Sequence, residues 1–448
     1  MSKIAIIGGG PAGMMAAVTA KANAGCHAQA GLAKTAAHED GADCEVFLFE
    51  KNAYLGAKVL ISGGGRCNLT TGISDVKELL KNYPRGAKFL MTAMFRFPPE
   101  KVMEWFEAHG VPLKIEKDNR VFPKSNDSKD VVGALEKEMK KLGVEVLFGA
   151  AVSEISRAGN KFEIAIRGGR KFAADAVILT TGGNAYRHTG STGDGYAFAE
   201  ALGHTITKLR PSLSSFIVGE KWVKDIAGIS FEKAKLKLSL SGKKSSCAAA
   251  SLSGTEKLFE RTGPISFTHR GITGPAVFAL SSMTAHEGIF TQNPAKLTID
   301  FFPDEKPAAF EKRLQALILK NAKKTLANFL DVLLPKSLCG AVIGLLEIPE
   351  KTITGNLTKQ NRGAIAQILK TFPLTVTERN AGEEFVTAGG VDLTEVNTNT
   401  MESKICPGLY FAGEILDVDA FTGGFNLQAS WATGALAGSE AAAAGGVA

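Results

Sequence analysis

The stretch IAIIGGGPAG, residues 4–13, decides how the rest of the chain is read. Ile4 to Ile7 form an unbroken apolar run of strand length, as expected of a strand buried on both faces. Gly8, Gly9 and Gly10 follow at once, then Pro11, Ala12 and Gly13, then the helix-like MMAAVTAKA. A glycine turn between a buried strand and a helix is the setting of a dinucleotide-binding motif. Gly8 permits the tight turn, Gly10 lets backbone approach a pyrophosphate, and Gly13 lets strand and helix pack closely. The N–H groups opening the helix then face the phosphates.

Composition agrees with such a protein. At 448 residues the chain exceeds one ordinary core, so two or three domains are expected. Apolar residues make up 45% and charged residues 22%, the balance of a globular protein. The 49 glycines have no collagen-like period, so they serve turns and close backbone approaches. A net charge of +7, dispersed along the sequence, suggests anionic ligands at most and argues against a nucleic-acid partner. Cys26, Cys44, Cys67, Cys247, Cys339 and Cys406 lie far apart without a CxxC, so neither a metal site nor a redox dithiol is indicated. The start of the chain lacks signal-peptide features. No apolar run approaches the roughly 20 residues of a membrane span. A cytoplasmic location away from membranes is therefore expected.

Working outward, a second strand should end in an acid that meets the ribose. EVFLFEKN supplies the strand, with Glu50 at its end, but later than the usual spacing. The polar, small-residue segment between Asn23 and Cys44 reads as an inserted loop or helix extension. Residues 144–180 read as short strands separated by Gly-Asn and Gly-Gly breaks, the pattern of an antiparallel meander. The last of them runs into Thr181, Gly182 and Gly183. A third strand-and-glycine unit, LYFAGE, ends in Gly413 and Glu414. Ligands of doubly wound sheets bind beyond the carboxyl ends of the strands. Three such ends suit an elongated ligand, and a flavin dinucleotide fits. Glu414 then faces the ribityl and pyrophosphate region. Gly423 and Gly424 open the helix FNLQASWATGALAG, whose positive end would stabilise charge on a reduced flavin. The polar cluster of residues 58–71, KVLISGGGRCNLTT, is able to wrap one ligand face. Arg66 in it reads equally as a surface charge, and Cys67 is preferred as an inert buried thiol.

These units together resemble the YhiN/BaiN-like flavoproteins, within the flavoproteins that have two dinucleotide-binding domains. The matching pieces run the length of the chain: IAIIGGGPAGMMAA, GAKVLISGGGRCNLT, NRVFPKS, VILTTGGNAYRHTGSTGDGYAFAEALGH, FTHRGITGPAVFALS, FVTAGGVDLTEVNTNTMESK and PGLYFAGEILDVDAFTGGFNLQASWATG. The segment after Thr181 is also similar to fumarate-reductase-type flavoproteins. The resemblance implies non-covalent FAD in a discontinuous domain. It implies that Glu50 and Lys51 hold the adenosine ribose, and that Ser62, Gly64, Arg66 and Cys67 lie along the dinucleotide. Thr181 and Gly182 border the adenine half; Gly413, Glu414, Asn426, Leu427 and Gln428 close the flavin end. Pro11, Ala12, Lys58 and Gly424 complete the expected cofactor-binding set.

The expected fold is α/β, α+β overall: a Rossmann-like FAD domain of glutathione-reductase type, interrupted by a β-rich insertion with a small helical bundle. Boundaries are placed at 1–195 for the first part of the FAD domain and 196–306 for the β-rich insertion. Helices are expected over 307–372, a return strand over 373–385, and the second part of the FAD domain over 386–448. Alternation in FEKAKLKLSLSG marks a half-exposed strand whose lysines read as a solvated face. His269, in FTHRGITGP, is the candidate proton-transfer residue beside a structural reading. Gly389 and Gly390 are candidates for close substrate approach. No second strand-GxGxxG unit marks an NAD(P)H domain, so NAD(P)H enters as a transient donor if at all. The leading expectation is FAD-dependent hydride transfer to or from a small organic molecule, with enone reduction suggested by the resemblance. An RNA-modifying flavoprotein and a non-catalytic flavin or redox sensor are the alternatives.

Overall fold

The computed structural model describes residues 1–24, 44–240, 256–289 and 291–444. The inserted segment expected before Cys44, with Cys26, and also Cys247 lie outside the described residues.

The chain divides into two compact units, Met1–Ser212 with Phe385–Ala448, and Leu213–Glu384. In the first, β1 (Ser2–Ile7) is the middle strand of a five-stranded parallel sheet. Ile4 pairs with Val46 of β2 (Cys44–Phe49) on one side and with Ala176 of strand Ala176–Leu179 on the other. Strand Glu145–Leu147 extends the sheet beyond β2, and Leu409–Phe411 extends it beyond Ala176–Leu179. Ile4, Ala5 and Ile6 are fully buried, which is why this run shows no alternation.

The meander expected over 144–180 is only partly one. Strands Val152–Ala158, Lys161–Ile166 and Lys171–Ala174 form an antiparallel three-stranded sheet. The flanking strands Glu145–Leu147 and Ala176–Leu179 belong to the parallel sheet instead. AVIL is apolar throughout and sits between two strands, so it takes a central place; the polar, alternating strands stay outside.

Helix α1 (Pro11–Ala24) packs along the C-terminal helix Phe425–Ala444. A Cβ on Gly434 or Gly438 would overlap the carbonyl oxygen of Ala12 or Ala16. Small residues on both helices thus set their close approach.

The division between units falls at Ser212 and Glu384, whereas the sequence placed the start of the insertion at residue 196. Helix Asp194–Ala201 and strand Arg210–Ser212 remain with the first unit, because Arg210–Ser212 pairs antiparallel with Val386–Ala388 on the returning chain. The second unit is a closed six-stranded barrel. It carries helices Pro307–Lys320, Leu326–Leu330, Lys336–Leu346 and Lys359–Lys370. Leu236, Leu238, Leu297, Phe310, Phe329 and Phe372 bury a common core of barrel and helices. No helix among the described residues is long and apolar enough to cross a membrane.

Candidate functional site

The site begins where β1 hands the glycine turn to α1. Gly8 N donates to Phe49 O at 2.9 Å, and Gly9 N donates to Glu50 Oε2 at 2.8 Å. The other Glu50 oxygen accepts from Asn52 N at 2.7 Å. Glu50 is thus fixed in a nearly buried position at the mouth of the turn. Two motif glycines differ in what surrounds them. A Cβ on Gly13 would overlap the Gly8 carbonyl oxygen and lie 2.6 Å from Thr180 Oγ1, whereas a Cβ on Gly10 would meet no atom within 4 Å. Gly13 therefore serves strand–helix packing, while Gly10 faces open space.

The C-terminal segment arrives at the same place. A Cβ on Gly413 would lie 2.9 Å from Ala12 Cβ, and Gly413 N donates to Thr433 Oγ1 at 3.0 Å. Glu414 Oε1 accepts from Thr387 N at 2.9 Å, and its other oxygen takes the Lys58 ammonium at 2.8 Å. Lys58 also donates to Ser191 Oγ at 3.0 Å. Lys51 donates to Thr192 Oγ1 and Asp194, each at 2.8 Å. Burial alone would raise the Asp194 carboxyl, but the Lys51 and Thr192 hydrogen bonds outweigh it and hold the group below the usual range. Both lysines therefore grip the segment after Gly182. Lys51, expected at the ribose, gives its ammonium to Asp194.

The glycine cluster is a left-handed loop. Gly63, Gly64 and Gly65 have φ of 57°, 70° and 86°, and Cys67 joins them at 58°. A Cβ on Gly64 would meet nothing within 4 Å. Ser62 Oγ donates to Val59 O at 2.8 Å. Arg66 pairs with Glu116, donates to Asn126 Oδ1 at 3.0 Å and lies over the Phe122 ring at 3.8 Å. Its guanidinium is thus occupied by protein groups. Burial pushes the Cys67 thiol up to about 12, offset only in part by Ser62.

Several expected flavin-end residues are tied into the protein. Both amide atoms of Asn426 bond Ala420, each at 3.0 Å. Gln428 is fully buried; it accepts from Thr70 Oγ1 at 2.6 Å and donates to Phe97 O at 2.9 Å. A Cβ on Gly424 would overlap Thr70 O. These residues clamp the start of the C-terminal helix onto the strand after the glycine loop, and Leu427 between them stays partly exposed. Thr181 Oγ1, Asn184 Oδ1 and Tyr196 OH are buried without a protein partner. Leaving such atoms unpaired costs roughly 1–3 kcal/mol each, so a ligand or ordered water at Thr181 suits the donor set.

Gly389 and Gly390 are needed by the fold itself: their Cβ atoms would lie 2.5 Å from Lys208 O and Ile415 O. His269 stands exposed on a turn of the second unit, closed by Thr268 N donating to Gly271 O at 2.8 Å. Sequence reasoning missed the work of the acidic loop. Asp417 accepts from Gly389 N at 3.1 Å and Thr207 Oγ1 at 2.9 Å, and Asp419 binds Arg85 and Ser212. It also missed a Ser-His-Glu row, in which His204 bonds Ser403 Oγ at 2.7 Å and Glu395 Oε2 at 3.1 Å. Ser403 Oγ accepts from Ile405 N and Cys406 N as well. Its proton therefore goes to His204, and the buried hydroxyl is a clamp rather than a nucleophile. Only long-range pairing reveals either feature.

The parallel sheet and the glycine turn at the end of its middle strand define a Rossmann-type domain. The chain belongs to the HI0933-like family, whose profile, described as HI0933-like protein Rossmann domain, matches residues 2–440. It is 32% identical over 443 residues to the 3-dehydro-bile acid delta(4,6)-reductase of Clostridium scindens, covering 99% of each chain. It is 27% identical to the ribosomal RNA dihydrouridine synthase of Escherichia coli, covering 96% of this chain and 95% of that one. Among solved structures it is similar to 3-ketosteroid-delta4-(5alpha)-dehydrogenase from Rhodococcus jostii RHA1, with a TM-score of 0.45 and 16% identity. That match covers 98% of this chain and 97% of the other.

Proposed function

We propose that the protein is an FAD-dependent reductase of a carbon–carbon double bond conjugated to a carbonyl, in a small organic substrate. When bound, FAD supplies the hydride through N5. The chain's own part is to bind and orient. Gly8, Gly10, Pro11, Ala12 and Gly13 offer the pyrophosphate open backbone at a helix start. Glu50, held by Gly9 N and Asn52 N, presents its remaining lone pairs to the ribose. Lys58 keeps Glu414 neutralised beside that anionic ligand. Gly64, Thr181, Gly182 and Leu427 retain exposure or unpaired atoms suited to the rest of the dinucleotide.

The observation carrying this reading is the approach of Gly413 to Ala12, beside a Gly10 that faces open space. The Clostridium scindens reductase, similar over the whole length, supports the substrate chemistry. Purified protein should show flavin absorbance. NADH and NADPH are then mixed with it anaerobically, and a conjugated 3-oxosteroid and its saturated relative are offered in turn. Bleaching by a nicotinamide and recovery only with the unsaturated compound are expected. A protein that stays free of flavin after reconstitution overturns the reading.

A second reading has its own support. Uracil also holds a ring double bond conjugated to a carbonyl, and the Escherichia coli relative is named for its reduction in ribosomal RNA. Residues 213–384 contain 23 Lys and Arg against 16 Asp and Glu, so their excess of seven is the chain's entire +7. The net charge is thus uneven between the two stretches of chain, and such asymmetry favours an anionic polymer. Dihydrouridine formed in ribosomal RNA, with no turnover of small enones, selects this reading.

A further inference from the structure

We propose that one end of the helical bundle, residues 320–324 with residues 350–356, is a docking surface for RNA phosphates. For its partner, this rests on the second functional reading; for its location, it rests on the charges themselves.

The second unit's positive residues fall into two groups. On the barrel strands four lysines are paired: Lys233 with Asp304, Lys235 and Lys237 with the shared Glu260, and Lys257 with Glu287, while Lys296 stands exposed without an ion pair among the described residues. The sheet face is thus the solvated surface its alternation suggests. The bundle differs. Residues 307–370 hold ten Lys and Arg against four Asp and Glu. Lys320, Lys323, Lys324, Lys351 and Lys359 are all exposed, and among the described residues none forms an ion pair.

Backbone pairing brings them together. Thr325 and Ile353 form an antiparallel bridge. Leu326 N donates to Thr352 O at 2.8 Å, Thr354 N to Lys324 O at 2.9 Å and Gly355 N to Ala322 O at 2.9 Å. The turn after Pro307–Lys320 therefore lies flat along the segment that leads into Lys359–Lys370. Lys359 follows directly on the Thr358 cap. Glu350 is the single acid within these two segments. Un-neutralised like charges held side by side repel one another, and a polyanion relieves that repulsion while releasing its counterions. Amides and hydroxyls of Asn321, Thr352 and Asn356 lie among the lysines, the side-chain types that contact phosphate and sugar. Exposed Leu319 and Ile353 are single apolar residues, without the continuous apolar face of a membrane-surface helix.

The test uses the full FAD-loaded chain and a fluorescent RNA hairpin, with binding followed by anisotropy across a salt series. One variant changes Lys320, Lys323, Lys324 and Lys351 to Gln. A control changes Lys233, Lys235, Lys237 and Lys257 to Gln. The bundle variant is expected to bind more weakly, with a slope of log affinity against log salt smaller by roughly 3. The control should keep a slope near wild type, and both should retain flavin absorbance. Equal slopes in the two variants, or a wild-type chain that binds anionic phospholipid vesicles and not the hairpin, overturn the proposal. If dihydrouridine forms while the bundle variant binds like wild type, this surface is wrong and the RNA reading stands. If the lysines bind the hairpin but only small enones turn over, the RNA reading fails and the surface stands.

Discussion

Gly434 lies so close to Ala12 that a Cβ on it would overlap the Ala12 carbonyl oxygen. Residues more than 400 positions apart in sequence thus share one helix–helix contact, beside the glycine turn that follows β1. Gly434→Val should force α1 away from the C-terminal helix, at about 1–3 kcal/mol of overpacking. The displacement reaches Gly413, which packs on the same Ala12. Thermal unfolding should fall and FAD retention weaken together. A variant as stable as wild type that keeps full flavin would refute this coupling.

The two motif glycines should fail differently when enlarged. Gly13→Val meets the Gly8 carbonyl and Thr180 Oγ1, so loss of folded protein is expected. A Cβ on Gly10 meets no protein atom within 4 Å, so the Gly10→Val apoprotein should fold with a melting temperature close to wild-type apoprotein. The added side chain fills the space proposed for the pyrophosphate, and FAD binding should drop by two orders of magnitude or more, about 3 kcal/mol. Calorimetry without cofactor and flavin titration separate the two outcomes. An unfolded Gly10→Val protein would contradict the open setting assigned to Gly10.

The parallel sheet and its glycine turns were legible because local patterns announce them: unbroken apolar runs mark buried strands, and glycine follows where backbone must approach a ligand. Alternation in FEKAKLKLSLSG and helical spacing after Pro307 likewise announced the strand Ser230–Leu240 and the helix Pro307–Lys320. Side-chain roles were less so. Asn426 and Gln428 stand in the expected motif, yet their polar atoms are spent on Ala420, Thr70 and Phe97. A motif fixes where a residue stands in the chain but not which of its neighbours claims its hydrogen bonds. The same limit hid Asp417, Asp419 and the pairing that retains residues 196–212 in the first unit. Each depends on at least one partner roughly 170 to 330 positions away, beyond the reach of any local pattern.

Lys58 and Glu414 form a largely buried ion pair, with side chains 26% and 17% exposed. Removing one partner of a fully buried pair costs roughly 3–5 kcal/mol, and residual exposure brings this pair down to about 1–2 kcal/mol. Lys58→Met leaves the Glu414 charge uncompensated beside the expected diphosphate. FAD affinity should therefore fall more than stability. Lys58→Met with Glu414→Gln should recover part of both, giving a coupling of about 1 kcal/mol in a double-mutant cycle. Strict additivity of the two single changes would show that the pair contributes nothing.

His204 should make the fold acid-sensitive. Its ring receives the Ser403 hydroxyl proton at Nε2, which leaves the Nδ1 proton for Glu395. Burial holds the imidazole below its ordinary 6.5, and Glu395 offsets only part of that effect. A group whose folded-state pKa is depressed stabilises above its unfolded value, and this contribution disappears as pH falls through the folded one. Protonation would also place a second donor against Ser403, whose oxygen already accepts two backbone N–H bonds. Urea unfolding should therefore show stability declining as pH drops below 6.5. His204→Gln should be less stable than wild type at neutral pH but flatter through that window. A wild-type profile with no decline there, or a variant with the same slope, would remove His204 as the cause.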